Sequence, residues 1–381
     1  MKQIVQFFSD GSTCLVEVPV PNFSPKEILI KSSFSLLSLG TEKMLIDFGK
    51  ANIIDKAKQQ PEKVKEVLDK IFLDGPISTF EAVTNKLNSP FPLGYSNVGT
   101  VVGIGNDVEG FEIGDRVISN GPHAEYHIST QNLCAKIPEK VTDEEATFTV
   151  VAAIGLQGIR LANPTFGETF LVSGLGLIGL ITAQLLKVNG CNVIGIDPDP
   201  EKCKLANSLG IDSEVLINHN NVVKWCLTKT NNIGVDGVLI TASTKSSEPV
   251  HLASEVTRKK GRIVQIGATG LDLKRNLFYE KELSLQVSCS YGPGRYDNAY
   301  EKEGLDYPLS YVRWTEKRNF EAILQSLKDN SLNVKSLISH KFNFENALDA
   351  YELIKKGGLS LGILFQYSKK SSINKEIQFA S

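Results

Sequence analysis

The most chemically specific run in the chain is Gly174-Leu175-Gly176-Leu177-Ile178-Gly179. Between a strand and a helix, three glycines at this spacing divide the labour. The first allows a tight turn, the second lets phosphate oxygens reach the backbone, and the third lets helix pack on strand. The flanks supply that setting: 169–173 (TFLVS) reads as the entering strand and 177–188 (LIGLITAQLLKV) as an apolar helix whose first N–H groups face an anion. The next apolar run, 192–197, ends in Asp197. A carboxylate there accepts from both ribose hydroxyls and repels a 2′-phosphate, which favours NAD(H) over NADP(H). Lys202 is placed to close the ribose from the other side. The plain alternative is a glycine turn without a ligand, with Asp197 serving as a helix cap before Pro198.

A second concentration of chemistry lies at 291–320. Half of the ten tyrosines fall there, at 291, 296, 300, 307 and 311, together with Arg295, Arg313, Trp314 and Arg318. Guanidinium forks grip carboxylates and phosphates, and aromatic faces stack on sugar or base rings. Arg295, Tyr296, Arg313 and Trp314 are therefore expected to bind substrate, with Gly292-Pro293-Gly294 fixing the turn that presents Arg295. Alternatively, the aromatic residues seal a domain interface and the arginines pair with Glu301, Asp306 and Glu316.

These residues need a scaffold. At ~100–200 residues per domain the length suggests two domains. With 41 Lys+Arg against 43 Asp+Glu and 41% apolar residues, the chain is neither disordered nor broadly basic, so nucleic acid is not expected as a partner. No cleavable leader, no apolar run of membrane-spanning length and no CxxC pair is found, and a cytoplasmic location without membrane association is expected. Residues 1–45 read as short strands, clearest at 27–31, and 46–88 as amphipathic helix. Residues 90–117, with glycines at 94, 99, 103, 105, 110 and 114, read as a tightly turned β-barrel, and 123–128 as one more strand. From about 144, strands at 170–173, 192–197, 238–241, 262–266 and 283–289 alternate with helices at 177–188, 201–208 and 248–256; further helices are expected at 315–328 and 346–356. That alternation predicts an α/β, doubly wound parallel sheet, with ligand outside the carboxyl ends of its strands near Thr241, Ile266, Gly267, Ala268 and Ser290.

Taken whole, residues 1–367 resemble the medium-chain dehydrogenase/reductase, or alcohol-dehydrogenase-like, family. The resemblance rests on Leu39-Gly40-Thr41-Glu42, GYSNVGTVVGIGNDVEGFEIGDRV at 94–117, Ala124-Glu125-Tyr126 and the glycine motif. It implies a GroES-like β-barrel catalytic domain plus a Rossmann domain. The corresponding boundaries are 1–140 (with a helical insertion at 46–88), 141–305 for the NAD-binding unit, 306–367 returning to the first domain, and a tail at 368–381. YGPGRYD (291–297), DYPLSYVRWTEKRN (306–319) and KAKQQPEKV (56–64) look like a bacterial branch associated with polysaccharide or nucleotide-sugar biosynthesis. Zinc-using members carry Cys, His and Glu where this chain has Leu39, Tyr95 and Ser96, and Ala153 falls near the usual third ligand, so no metal is expected. His123 and His127 are the residues from which a different metal site would have to start. The resemblance implies Thr41 as a hydroxyl relay and Tyr95 in a former ligand position. Glu42 is the nearest candidate base, and His123 titrates in a useful range. The expectation is a zinc-independent, NAD(H)-dependent oxidoreductase interconverting a secondary alcohol and ketone on a sugar or nucleotide-sugar, with a second copy of the chain as a further expected partner. A quinone or enone reductase and a non-catalytic nucleotide-binding protein are the alternatives.

Overall fold

The computed structural model describes residues 1–40, 42, 89–356 and 360–368. Thr41, the expected helical insertion at 46–88 and the tail from 369 onward lie outside the described residues. Six strands form one all-parallel sheet in the order Asp212–Val215, Asn192–Asp197, Thr169–Ser173, Val235–Ile240, Thr257–Gln265, Ser284–Val287. The central strands are continuous apolar runs because helices cover both faces; Phe170, Leu171, Val172, Val238, Leu239 and Ile240 have no exposed surface. Chain order reverses between Thr169–Ser173 and Val235–Ile240, so the switch point falls beside Gly174.

A second sheet runs Ile338–Asn343, Gly362–Gln366, Glu27–Ser38, Asn97–Ile104, Arg116–Ser119, Cys134–Lys136, with Tyr126–Thr130 also pairing with Glu27–Ser38. The long strand Glu27–Ser38 is irregular against Asn97–Ile104, with register shifts at Leu29/Ile30 and Ser32/Phe34 that bend it into the GroES-like barrel. Gly99 sits where a Cβ would lie 2.3 Å from the Lys31 carbonyl oxygen, so only glycine lets these strands approach. Antiparallel pairing of Gly362–Gln366 with Phe34–Ser38 ties the end of the chain to its beginning. Lys2–Gln6 lies between Thr13–Glu17 and Phe91–Pro92 in a small third sheet.

The structure adds the strand Asp212–Val215 and the helices Thr149–Ala162 and His219–Lys229 to the elements expected from sequence. Thr149–Ala162 is rich in β-branched residues and carries Gly155 and Gly158, a composition that argues against helix in isolation. Packing explains it: a Cβ at Gly155 would meet Thr182 Oγ1 at 2.4 Å, and one at Gly158 would meet Ile266 at 2.2 Å. The strand expected at 123–128 begins later, at Tyr126, and runs to Thr130, leaving His123 in a bend before it.

Candidate active site

The glycine turn has the predicted shape. Gly174 has φ +101°, and its missing Cβ would strike Ala242 N at 2.6 Å; a Cβ on Gly179 would lie 1.8 Å from the Gly174 oxygen. Gly176, by contrast, faces open space. The first intrahelical bond of Leu177–Val188 is Leu180 N–H to Gly176 O at 2.9 Å, so the N–H groups of Leu177, Ile178 and Gly179 precede the ladder at an end with no side-chain cap. Packing thus requires glycine at 174 and 179, while Gly176 borders open space, room that a pyrophosphate would need.

Asp197 is almost fully buried at its strand tip. Its Oδ2 accepts from Leu175 N–H at 2.7 Å, and its Oδ1 accepts from Asp199 N–H at 2.9 Å and Lys202 Nζ at 3.4 Å. It does not cap the next helix; Asp199 does, accepting from Glu201 N–H at 3.0 Å. The carboxylate is therefore locked to the glycine turn itself. Thr241 Oγ1 donates to Gly174 O at 2.6 Å, and a Cβ on Gly267 would lie 2.1 Å from the Ala242 oxygen, so the turns after neighbouring strands are pressed together. Ile266 is half-buried, Ala268 is exposed, and Ser290 adopts φ +45°.

Toward the barrel, Asn120 Nδ2 donates to Tyr95 O at 3.1 Å and to Tyr291 Oη at 2.7 Å. Tyr291 is almost fully buried, and burial pushes its phenol far above the ordinary range, so it stays protonated. The sequence marks Tyr291 as one of five tyrosines and as the start of YGPGRYD but gives no sign of Asn120; no local motif marks a pairing across 171 positions. Tyr95 is half-buried beside them.

Glu42 and His123 are brought together, but inside the barrel. Both side chains are fully buried. Glu42 Oε1 accepts from His123 Nε2 at 3.0 Å, and Glu42 Oε2 accepts from Tyr351 Oη at 2.7 Å. His123 Nδ1 pairs with Ser35 Oγ at 2.7 Å, which meets Tyr367 Oη at 2.8 Å. Burial and the Glu42 carboxylate raise the Tyr351 phenol, keeping it a donor. Ser35, Tyr351 and Tyr367 come from distant parts of the chain and were not anticipated.

Of the substrate candidates, Arg295 gives an N–H to Glu301 at 2.6 Å and stacks on Tyr291 and Tyr296; Tyr296 itself is largely exposed. Arg318 pairs with Asp306. These are two of the pairings the interface alternative named; Glu316, its third acid, forms no ion pair among the described residues. Arg313 is exposed and lies over Trp314.

Among the described residues, the donors do not fit a catalytic zinc. Leu39 and Ala153 offer no ligand atom, and Ser96 Oγ donates to Thr147 O at 2.6 Å. Both ring nitrogens of His123 are engaged as described. His127 Nε2 pairs with Ser119 Oγ at 2.7 Å and its Nδ1 lies 3.4 Å from Ser32 Oγ. Among the described residues no three His, Cys, Asp or Glu side chains gather to hold a metal ion. A cavity of about 360 Å³ between Pro200–Ser208 and Lys335–Leu337 shares no residue with the glycine turn or with Tyr95.

A doubly wound parallel sheet with a glycine cradle, set beside a GroES-like β-barrel, defines the fold class. Residues 178–303 match the zinc-binding dehydrogenase family, and residues 73–173 match the alcohol dehydrogenase GroES-like domain. The chain is 30% identical over 269 residues to D-guloside 3-dehydrogenase of Escherichia coli, covering 68% of this chain and 73% of that protein. It is 25% identical over 304 residues to sorbitol dehydrogenase of Halalkalibacterium halodurans, covering 71% and 81%. Among solved structures, an alcohol dehydrogenase from Thermus sp. ATN1 shares the fold with a TM-score of 0.73 at 19% identity, over 97% of this chain and 100% of that one. The chain belongs to the medium-chain dehydrogenase/reductase, alcohol-dehydrogenase-like family, and it is an oxidoreductase of that kind. No helix among the described residues is long and apolar enough to cross a membrane.

Proposed function

We propose that this oxidoreductase uses NAD(H) without zinc to interconvert a secondary alcohol and a ketone on a polyol, sugar or nucleotide-sugar, in polysaccharide biosynthesis. The observation that carries the reading is Asp197, a buried carboxylate bonded directly to the backbone of the glycine turn. Gly174, Gly176, Leu177, Ile178 and Gly179 would hold the pyrophosphate. Asp197 and Lys202 would hold the adenosine ribose, and Thr241, Ile266, Gly267, Ala268 and Ser290 would border the nicotinamide. NAD(H) supplies the hydride acceptor or donor. The sugar class is supported by the named activities of the 30%-identical D-guloside 3-dehydrogenase and of the sorbitol dehydrogenases, and the biosynthetic role by the resemblance of the 291–319 segment.

With no metal to polarise the substrate oxygen, the chain's own hydroxyls must do so. Tyr95 stands where a ligand imidazole would be, and Tyr291 is held beside it through Asn120. Tyr95 and Thr41 donate to, or accept from, the substrate oxygen. Glu42 and His123, sealed in the barrel, act as positioning residues for the segment that carries Glu42.

The test combines NADH and NADPH titration, metal analysis and initial rates over polyols, sugars and nucleotide-sugars. NADH preference, absence of stoichiometric metal and a drop of at least about tenfold in the rate constant for chemistry in Tyr95→Phe are expected. Tighter NADPH binding, or zinc whose removal abolishes turnover, overturns the corresponding half.

A further inference from the structure

Most arginines of the described chain are neutralised. Arg116, Arg258, Arg262, Arg295 and Arg318 meet Asp143, Asp236, Glu168, Glu301 and Asp306 respectively. Arg160 and Arg313 meet no carboxylate among the described residues, yet they share a single partner. The Arg160 Cζ lies 3.4 Å from the centroid of the Trp314 ring and the Arg313 Cζ 3.9 Å from it. Two guanidinium groups that close to one centroid occupy opposite faces of the indole. Burial, and next the charge of Arg313, pull Arg160 down to about 10. Placing two unneutralised like charges around one ring is costly unless something else joins them.

The arrangement is also built. Arg160 Nε donates to Asn319 Oδ1 at 2.7 Å. Asn319 is fully buried, and its Nδ2 donates to Tyr291 O at 2.8 Å. The Arg160 plane is therefore fixed by an inner residue, and among the described residues its terminal N–H groups make no hydrogen bond. Glu316, the nearest acid in sequence, lies within the field of Arg295 and Glu301 instead.

We propose that Arg160, Trp314 and Arg313 form a binding site for a phosphoryl group, with the indole edge between two guanidinium forks. A planar carboxylate is satisfied by one fork, whereas a tetrahedral oxyanion presents oxygens toward two. The oxyanion is carried either by a sugar phosphate or by free phosphate. This site stands on its own residues and does not depend on the cofactor reading.

Trp225→Phe leaves Trp314 as the sole tryptophan. Inorganic phosphate is titrated into that full-length variant at constant ionic strength, with chloride as the balancing ion. Emission is followed, and calorimetry supplies a second readout. Saturable binding is expected, weakened at least about tenfold in both Arg160→Gln and Arg313→Gln. Arg313 is exposed, so its replacement tests the site without disturbing the Asn319 contact. Sorbitol 6-phosphate binding tighter than inorganic phosphate assigns the group to a sugar phosphate, and equal affinity assigns it to the free ion. Lack of saturation in both readouts, an equal response to chloride, or unchanged affinity in both variants overturns the proposal. NADH titrated into the same sample tests the cofactor reading separately.

Discussion

Replacing Glu316 by Gln should reshape the pH dependence of stability. Glu316 opens the helix Glu316–Lys328, yet it is fully buried, and neither carboxyl oxygen has a hydrogen-bond partner. Burial, and next the Glu301 carboxylate, push its pKa from the ordinary 4.5 to about 8; Arg295 opposes them, being already committed to Glu301. Tyr291, Tyr300 and Tyr307 are the other titratable groups that feel it, and all three phenols are raised and stay protonated across this window. Between pH 4.5 and about 8 the native chain holds a proton that the unfolded chain has released. Stability therefore falls as pH rises through that window and levels off above it. At about 1.4 kcal/mol for each pH unit, the loss reaches about 3 kcal/mol by pH 7 and about 5 kcal/mol above pH 8. Gln cannot ionise, so the variant should match wild type near pH 4.5 and exceed it progressively toward pH 9. Urea denaturation of both proteins at pH 5, 7 and 9 reads this directly. A difference independent of pH, or a variant weaker than wild type at pH 9, refutes the reasoning. Glu301 also accepts from Tyr296 N–H at 3.2 Å, so charging Glu316 beside it should loosen the turn between Tyr291 and Tyr296.

Three further outcomes are expected. Gly176→Val should leave the melting temperature nearly unchanged, because the new side chain enters open space, while weakening NADH binding at least about tenfold by occupying the pyrophosphate path; Gly179→Ala should do the reverse and lower the melting temperature, because its Cβ would meet the Gly174 oxygen. Asp197→Ser should weaken NADH binding by about 1.5–3 kcal/mol and narrow or invert the preference over NADPH, read by fluorescence titration; an unchanged preference removes Asp197 from ribose recognition. Burial lowers His127 to about 3, so the neutral ring contributes stability that is complete above the ordinary 6.5 and is lost as pH falls toward 3; His127→Gln should flatten the acid side of the denaturation profile.

What could be read from sequence was what is local. The glycine turn, the flanking strand and helix, and Asp197 lie within one βαβ unit, so their spacing alone fixes their geometry. The helix Thr149–Ala162 escaped because its glycines and β-branched residues lower helix propensity, and only contact with Thr182 and Ile266 reveals why they are tolerated. Glu42 and His123 were visible as titratable residues near the expected site. Their burial was not, because the groups that enclose them arrive far along the chain, Tyr351 on the helix Ala347–Lys356 and Tyr367 just after the strand Gly362–Gln366.

The same distinction explains the arginine-rich segment. Composition at 291–320 announces cations and aromatic rings but cannot say which cations are already spent. Once Arg295 and Arg318 are assigned to Glu301 and Asp306, the uncompensated charge moves to Arg313 and to Arg160, a residue 154 positions from the ring it covers and inside a helix that sequence did not predict. Ion pairing within the segment sets the turn, and the charge left over falls at its outer edge. Composition offers Arg295 and Arg313 alike as anion binders; pairing removes Arg295, keeps Arg313 and adds Arg160, the two arginines that enclose Trp314.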